Sequence, residues 1–246
     1  MSNLLIDIGN SEIKIGEGNS KIYSVRLLKK SSYSKNNFKK DFKLIIENVF
    51  VKNAFDKAGI SILKDGNEKF LNNYFIKNFN IKPVFINRNL KLPVKINYSK
   101  GIGNDRICNA LAANEIYKSK NILVIDFGTA TTYTLISNKI LIGGMISPGI
   151  KTSLNSLIKN TSLPNVKLNF PKKIINNTTI NNIKAGVLYQ SLFSVEKVIS
   201  ELIKTKAGLF VIATGGYSNL ISKKTNLINK VDKNLVLKGI NIFLSQ

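Results

Sequence analysis

Two short stretches, 119 positions apart, constrain this chain more than anything else in it. The first, Leu4-Leu-Ile-Asp7-Ile-Gly9-Asn10-Ser11-Glu-Ile-Lys-Ile15, is an apolar run, a carboxylate, a glycine turn and a second strand-like run. The second, Ile122-Leu-Val-Ile-Asp126-Phe-Gly128-Thr129-Ala-Thr-Thr-Tyr-Thr-Leu135, repeats that order. Apolar runs of this length bounded by turn residues read as buried strands. Each stretch is therefore expected to be a hairpin with an aspartate at the end of its first strand. A single Asp-x-Gly is an ordinary hairpin turn. Two, in matching contexts about half a chain apart, predict duplicated halves. A turn that offers a carboxylate, backbone N–H groups and hydroxyls together suits a metal-bound polyphosphate.

Other chemistries are excluded by what the chain lacks. It has no histidine, so Ser-His-Asp and Cys-His catalysis and histidine metal ligation are ruled out. Its one cysteine, Cys108, forbids an internal disulfide or a cysteine zinc cluster. Only 14 Asp and Glu are present, so an aspartate in an apolar context carries unusual weight. At 246 residues the chain can bury one large core or two modest ones. No run is long enough to span a bilayer and no signal peptide is visible, so the expected location is cytoplasmic.

The formal net charge of +23 invites a polyanion partner. Almost all of it is lysine, scattered along the chain; Arg26, Arg88 and Arg106 are the only arginines. Readers of bases and clamps for phosphate favour the guanidinium fork. Codon bias toward Lys, Asn and Ile is the expected source of the charge, and no specific nucleic-acid partner is expected.

Along the chain, periodicity predicts a strand over 21–28, a loop over 29–40 and a helix over 42–50. A central strand follows at 58–63, a helix at 67–78, a strand at 83–86 and an extended stretch at 92–98. Gly101 and Gly103 make a loop before a helix that begins near Arg106, with Asp105 where an N-cap or first-turn acid belongs. That placement alone is an ordinary cap. The two glycines and the adjacent arginine add room and charge for an anionic group. In the second half, 139–149 is expected to run from strand into a Gly-rich loop, with helices over 150–159 and 179–204 and a loop over 163–173. A strand at 208–216 ends in a double glycine, a short helix begins at 218, and 234–243 closes the chain with apolar spacing. Hairpins followed by strand-helix alternation in both halves argue for α/β.

Five motifs, in order, resemble those of the type III pantothenate kinases, members of the acetate and sugar kinase, Hsc70 and actin superfamily. They are Asp7-Ile-Gly-Asn-Ser11, Gly103-Asn-Asp-Arg106, Asp126-Phe-Gly-Thr-Ala-Thr-Thr132, Gly143-Gly-Met-Ile-Ser-Pro-Gly149 and Thr214-Gly-Gly216. The resemblance implies two duplicated ribonuclease-H-like, actin-like ATPase domains, each a mixed sheet flanked by helices, divided as 1–117 and 118–246. It also implies a homodimer and ATP-dependent phosphorylation of pantothenate to 4'-phosphopantothenate, the first step of coenzyme A biosynthesis. ATP, Mg²⁺ and a monovalent cation, K⁺ or NH₄⁺, would be needed.

By motif, Asp105 resembles the general base. Asp7, Gly9, Asn10, Ser11, Lys14 and Thr129 match the ATP side, and Asp126 the cation-binding acid. Tyr98, Gly103, Asn104, Asp105, Arg106 and Thr179 match the pantothenate side. Three departures stand out: Ser11 for threonine, Asn104 for alanine, and Ile60-Ser-Ile-Leu-Lys-Asp65 where the family has Ser-Val-Val-Pro. The alternatives are a non-catalytic regulatory or nucleic-acid-associated relative, favoured by the basicity, and a sugar or acetate kinase, opposed by the short chain.

Overall fold

A computed structural model describes residues 2–19, 24–51, 53–62 and 66–246. Two compact units emerge. One comprises Met1–Lys118 with Lys139–Leu141 and Asn234–Gln246; the other comprises Ser119–Asn138 with Ile142–Lys233.

The first unit is built on β1 (Ser2–Ile8), β2 (Glu12–Asn19), β3 (Val25–Ser32), α1 (Phe38–Phe50), β4 (Lys57–Ile62), α2 (Glu68–Phe79) and β5 (Val84–Phe85). The strand order is β3-β2-β1-β4-β5. β1 pairs antiparallel with β2 and parallel with β4. A central strand covered on both faces should be apolar throughout, which explains the unbroken Leu4-Leu-Ile before Asp7. Leu4, Ile6 and Ile8 join Phe42, Ile46, Leu71 and Phe75 of α1 and α2 in one core.

The other face belongs to α3 (Asn104–Tyr117) and α7 (Leu235–Leu244). Leu5 sits opposite Gly16 and Gly59. A Cβ on Gly16 would meet Leu237 at 2.9 Å, and one on Gly59 would meet Ile240 at 2.5 Å. The glycines are the space into which α7 packs. Asn241 fixes the register: Asn3 Nδ2 donates to Asn241 Oδ1 at 2.9 Å, and Asn241 Nδ2 donates to the Asn19 carbonyl at 3.1 Å. Asp7 has the same parity along β1 as Leu5, so it points to the face that α3 and α7 cover.

The second unit repeats the plan. β7 (Asn121–Phe127) pairs antiparallel with β8 (Ala130–Ser137) and parallel with β10 (Leu209–Gly215), which pairs parallel with β11 (Lys230–Val231). With β9 (Ile140–Pro148), the order is β11-β10-β7-β8-β9, the counterpart of β5-β4-β1-β2-β3. A further strand, β6 (Lys95–Ile96), pairs parallel with Ile140 and Leu141 of β9. Leu123, Ile125 and Phe127 pack with Ile150 and Leu154 of α4 (Ile150–Lys159) and with Leu188, Val195 and Ile199 of α5 (Thr179–Ile203). A short α6 (Ser218–Ser222) follows β10. The chain is thus α/β with two mixed sheets flanked by helices.

Three sequence expectations need correction. The loop expected over 29–40 is β3 as far as Ser32, and α1 begins at Phe38. β3 is an edge strand whose lysines conceal the alternation, as edge strands commonly do. The Gly-rich loop over 143–148 is the second part of β9. The helix expected from Arg106 starts at Asn104, with Gly103 as its N-cap. Ile22, Tyr23 and Leu63, expected in strands, lie outside the described residues.

Candidate active site

In the first unit the acid at the end of β1 has defined neighbours. Asp7 is buried and registers with Lys14 on β2 and Ser61 on β4. The Lys14 ammonium lies 3.8 Å from the Asp7 carboxylate. Across the turn, Gly9 N–H donates to the Glu12 carbonyl at 3.0 Å, and the Tyr33 hydroxyl donates to the Gly9 carbonyl at 2.7 Å. Asn10 and Ser11 are exposed at its tip. The hairpin is therefore held from behind while its polar tip is open to a ligand.

The second acid of this unit opens α3. Arg106 N–H donates to Asp105 Oδ1 at 2.8 Å, so the carboxylate folds onto the helix start. A Cβ on Gly103 would sit 2.4 Å from that oxygen, which accounts for the glycine. Burial pushes the Asp105 carboxyl above its ordinary value, against the opposing pull of the Arg106 amide and guanidinium and of Lys14. The residue remains partly exposed. A carboxylate that is crowded yet reachable, with its proton affinity raised, is the form a general base takes.

Its surroundings are basic and aromatic. Arg106 is buried, and its guanidinium stacks over the half-buried Tyr98 ring at 5.2 Å. Arg88 Nη1 donates to the carbonyls of Tyr98 and Ser99 at 3.2 and 2.9 Å, fixing the loop that presents the ring. Asn104 is buried, and its Nδ2 donates to the Ile62 carbonyl at 2.8 Å. Cys108 is fully buried; burial lifts its thiol well above the ordinary range, with Asp7 and Asp105 adding to the effect. It is a packing thiol rather than a nucleophile. Arg88 and Cys108 were not among the residues the motifs point to. Of the two, Arg88 had a signal, as one of three arginines.

In the second unit Asp126 takes the Asp7 position. It is half-buried at the end of β7 and registers with Thr132 on β8 and Thr214 on β10. Gly215 has φ +87°, and a Cβ there would lie 2.4 Å from Asp126 Oδ1. The turn is buttressed by the start of α4: Gly149 N–H donates to the Thr129 carbonyl at 3.1 Å, and the Thr152 hydroxyl donates to the same atom. A Cβ on Gly149 would meet the Gly128 carbonyl oxygen at 2.3 Å. Thr129 itself is exposed. Thr178 caps α5 by accepting from Asn181 N–H at 3.4 Å, and Thr179 is its exposed first residue.

Among the described residues no group of three or more His, Cys, Asp or Glu could hold a metal ion. The Asp126 site supplies one carboxylate with two threonines at its sides. Such a hard-oxygen set fits a cation that keeps most of its ligands as water and phosphate.

The model of the type III pantothenate kinase family matches residues 3–201. The chain belongs to that family. A type III pantothenate kinase of Petrotoga mobilis is 32% identical over 244 residues, covering 96% of this chain and 95% of the relative. Among solved structures, a Campylobacter jejuni protein provisionally described as a Baf family transcriptional activator is similar with TM-score 0.58. The identity is 21%, over 96% of this chain and 94% of the other. A Cytophaga hutchinsonii protein provisionally described as a sugar kinase is similar with TM-score 0.53 and 12% identity, over the whole of both chains. These two likenesses bear on fold alone and agree with the plan of two mixed sheets flanked by helices. As a type III pantothenate kinase the chain is a phosphotransferase, and the five motifs fall on its two hairpins, the start of α3, β9 with the start of α4, and the end of β10.

Proposed function

We propose that this type III pantothenate kinase transfers the terminal phosphoryl group of ATP to the hydroxyl of pantothenate, with Asp105 as general base. The observation that carries the reading is the Asp105 carboxylate: held at the start of α3 by the Arg106 N–H, partly exposed, and next in the chain to the Arg106–Tyr98 stack. Phosphoryl transfer asks mainly for positioning and charge stabilisation. Asp105 accepts the hydroxyl proton as the oxygen attacks phosphorus. Tyr98, Gly103, Arg106 and Thr179 orient pantothenate, and Asn104 belongs to the same helix start with its side chain tied to the Ile62 carbonyl. On the nucleotide side, Asp7, Gly9, Asn10, Ser11, Lys14 and Thr129 hold the phosphates through backbone N–H groups, hydroxyls and one ammonium. Mg²⁺, when bound, neutralises charge building on the transferring phosphate. Asp126 is the carboxylate we assign to cation binding, with K⁺ or NH₄⁺ as the monovalent candidate.

The reading includes a cytoplasmic location and two repeats dividing at 117/118. No helix among the described residues is long and apolar enough to cross a membrane. It also includes a homodimer. Support comes from α5 and the segment before it, which line a groove of about 540 Å³ and leave Ile174, Ile175 and Phe193 exposed. Apolar side chains grouped this way are suited to cover by a second copy. Sedimentation of Ile175→Glu is expected to give monomer where the parent gives dimer; a dimeric variant removes this surface from the interface.

The direct test is ADP release with pantothenate as acceptor while Mg²⁺ and K⁺ are varied separately. Turnover that requires pantothenate and rises with both cations supports the assignment. A protein that leaves pantothenate untouched yet binds DNA in a salt-dependent way would instead favour the regulatory reading, which the +23 charge motivates.

A further inference from the structure

Asn104 and Cys108 are one turn apart on α3, so their side chains share a face. That face looks at the last residues of β4. Asn104 Nδ2 donates to the Ile62 carbonyl in a buried bond of 2.8 Å. The Cys108 thiol and the Ser61 hydroxyl share a second hydrogen bond. Ser61 is itself the β4 partner of Asp7. Behind the helix, Gly239 of α7 lies so close to Cys108 that a Cβ would come within 2.0 Å of the Cys108 carbonyl oxygen. The first turn of α3 is thus gripped on one side by the strand next to Asp7 and on the other by α7. Asp105 stands between the two anchored positions, its own carboxylate bonded to the helix start. An alanine at 104, as in the motif this segment resembles, could not make the first of these ties.

We infer that Asn104 is a positioning residue, which fixes the Asp105 carboxylate relative to Asp7 by tying the start of α3 to the end of β4. The inference rests on the proposed role of Asp105, but the tie can be measured without substrate. Backbone hydrogen exchange in Asn104→Ala, followed by mass spectrometry on the full chain, should quicken about tenfold over 104–112 and stay unchanged in α5. With pantothenate and ATP, kcat of the same variant should fall on the order of tenfold, while both KM values stay within about a factor of two. Cys108→Ala should quicken exchange in the same peptide by a smaller factor, and Cys108→Ser, which keeps a hydrogen-bonding partner for Ser61, should restore it.

Unchanged exchange over 104–112 in Asn104→Ala overturns the inference. So does a rise in pantothenate KM with kcat intact, since that marks direct contact with substrate. If Asn104→Ala does not fold, the Cys108 pair decides: equal exchange in the Ala and Ser variants overturns the inference. A parent protein that does not phosphorylate pantothenate would sink the proposed function, while the exchange result would still decide the tie.

Discussion

The two repeats set an aspartate at the same register of the same strand and then surround it differently. Asp7 lies opposite a lysine and beside a serine, with the ammonium at 3.8 Å. Asp126 lies opposite a threonine and beside a threonine, and a glycine in the left-handed region leaves room at its oxygen. The first acid comes with a cation built into the neighbouring strand. The second has threonines at both register positions, and it is the acid we propose for cation binding. The two sheets present matching hairpin turns, and the side chains on the neighbouring strands differ between them. The first unit carries a further candidate acid, Asp105, at the start of α3.

The largest expected effect belongs to that third acid. Asp105→Asn should lower kcat by a factor on the order of 10² or more, because no other group is assigned to take the hydroxyl proton. The same variant should melt higher at neutral pH. Burial raises the folded-state proton affinity of Asp105, so its ionisation opposes folding once pH exceeds the unfolded value. The stabilising protonated form is lost as pH rises through the folded value, and a neutral amide removes that loss. Calorimetry at pH 7 that finds a lower melting temperature would contradict this.

The asymmetry between the hairpins predicts the next effect. Asp126→Asn should raise the Mg²⁺ or K⁺ concentration giving half-maximal rate by roughly tenfold, with activity partly recovered at high salt of that cation. Asp7→Asn should not recover in the same titration. Equal rescue of both variants would erase the proposed division of labour. A smaller contrast concerns glycines. Gly215→Ala faces both a positive φ and a 2.4 Å clash with Asp126, so it should cost about 2–4 kcal/mol in urea unfolding. Gly9→Ala meets its nearest neighbour at 3.5 Å and should cost less than about 1 kcal/mol.

Much of this plan is legible in the sequence because the central strands are covered on both faces and read as unbroken apolar runs around their aspartates. The helices α1 and α5 are legible by a different signal, an apolar face recurring at the helical period. What escapes is whatever a neighbour decides. β3 and the latter part of β9 carry lysine, glycine and serine, and sheet pairing rather than side-chain period holds them. The assembly of 234–246 with the first unit follows from Gly16, Gly59 and Gly239 making room for α7, residues that read locally as neutral spacing. Among the site residues, the acids stand out by scarcity. Asn104 does not, because the meaning of its side chain depends on a carbonyl 42 positions away.

The measurement closest to the central claim is ATP binding and pantothenate-dependent turnover read in one sample of Asp105→Asn beside the parent. The account predicts that the parent turns over only with pantothenate, and that the variant binds ATP within about a factor of three of the parent while its turnover collapses. A variant that turns over at the parental rate, or that loses ATP binding along with turnover, would contradict it.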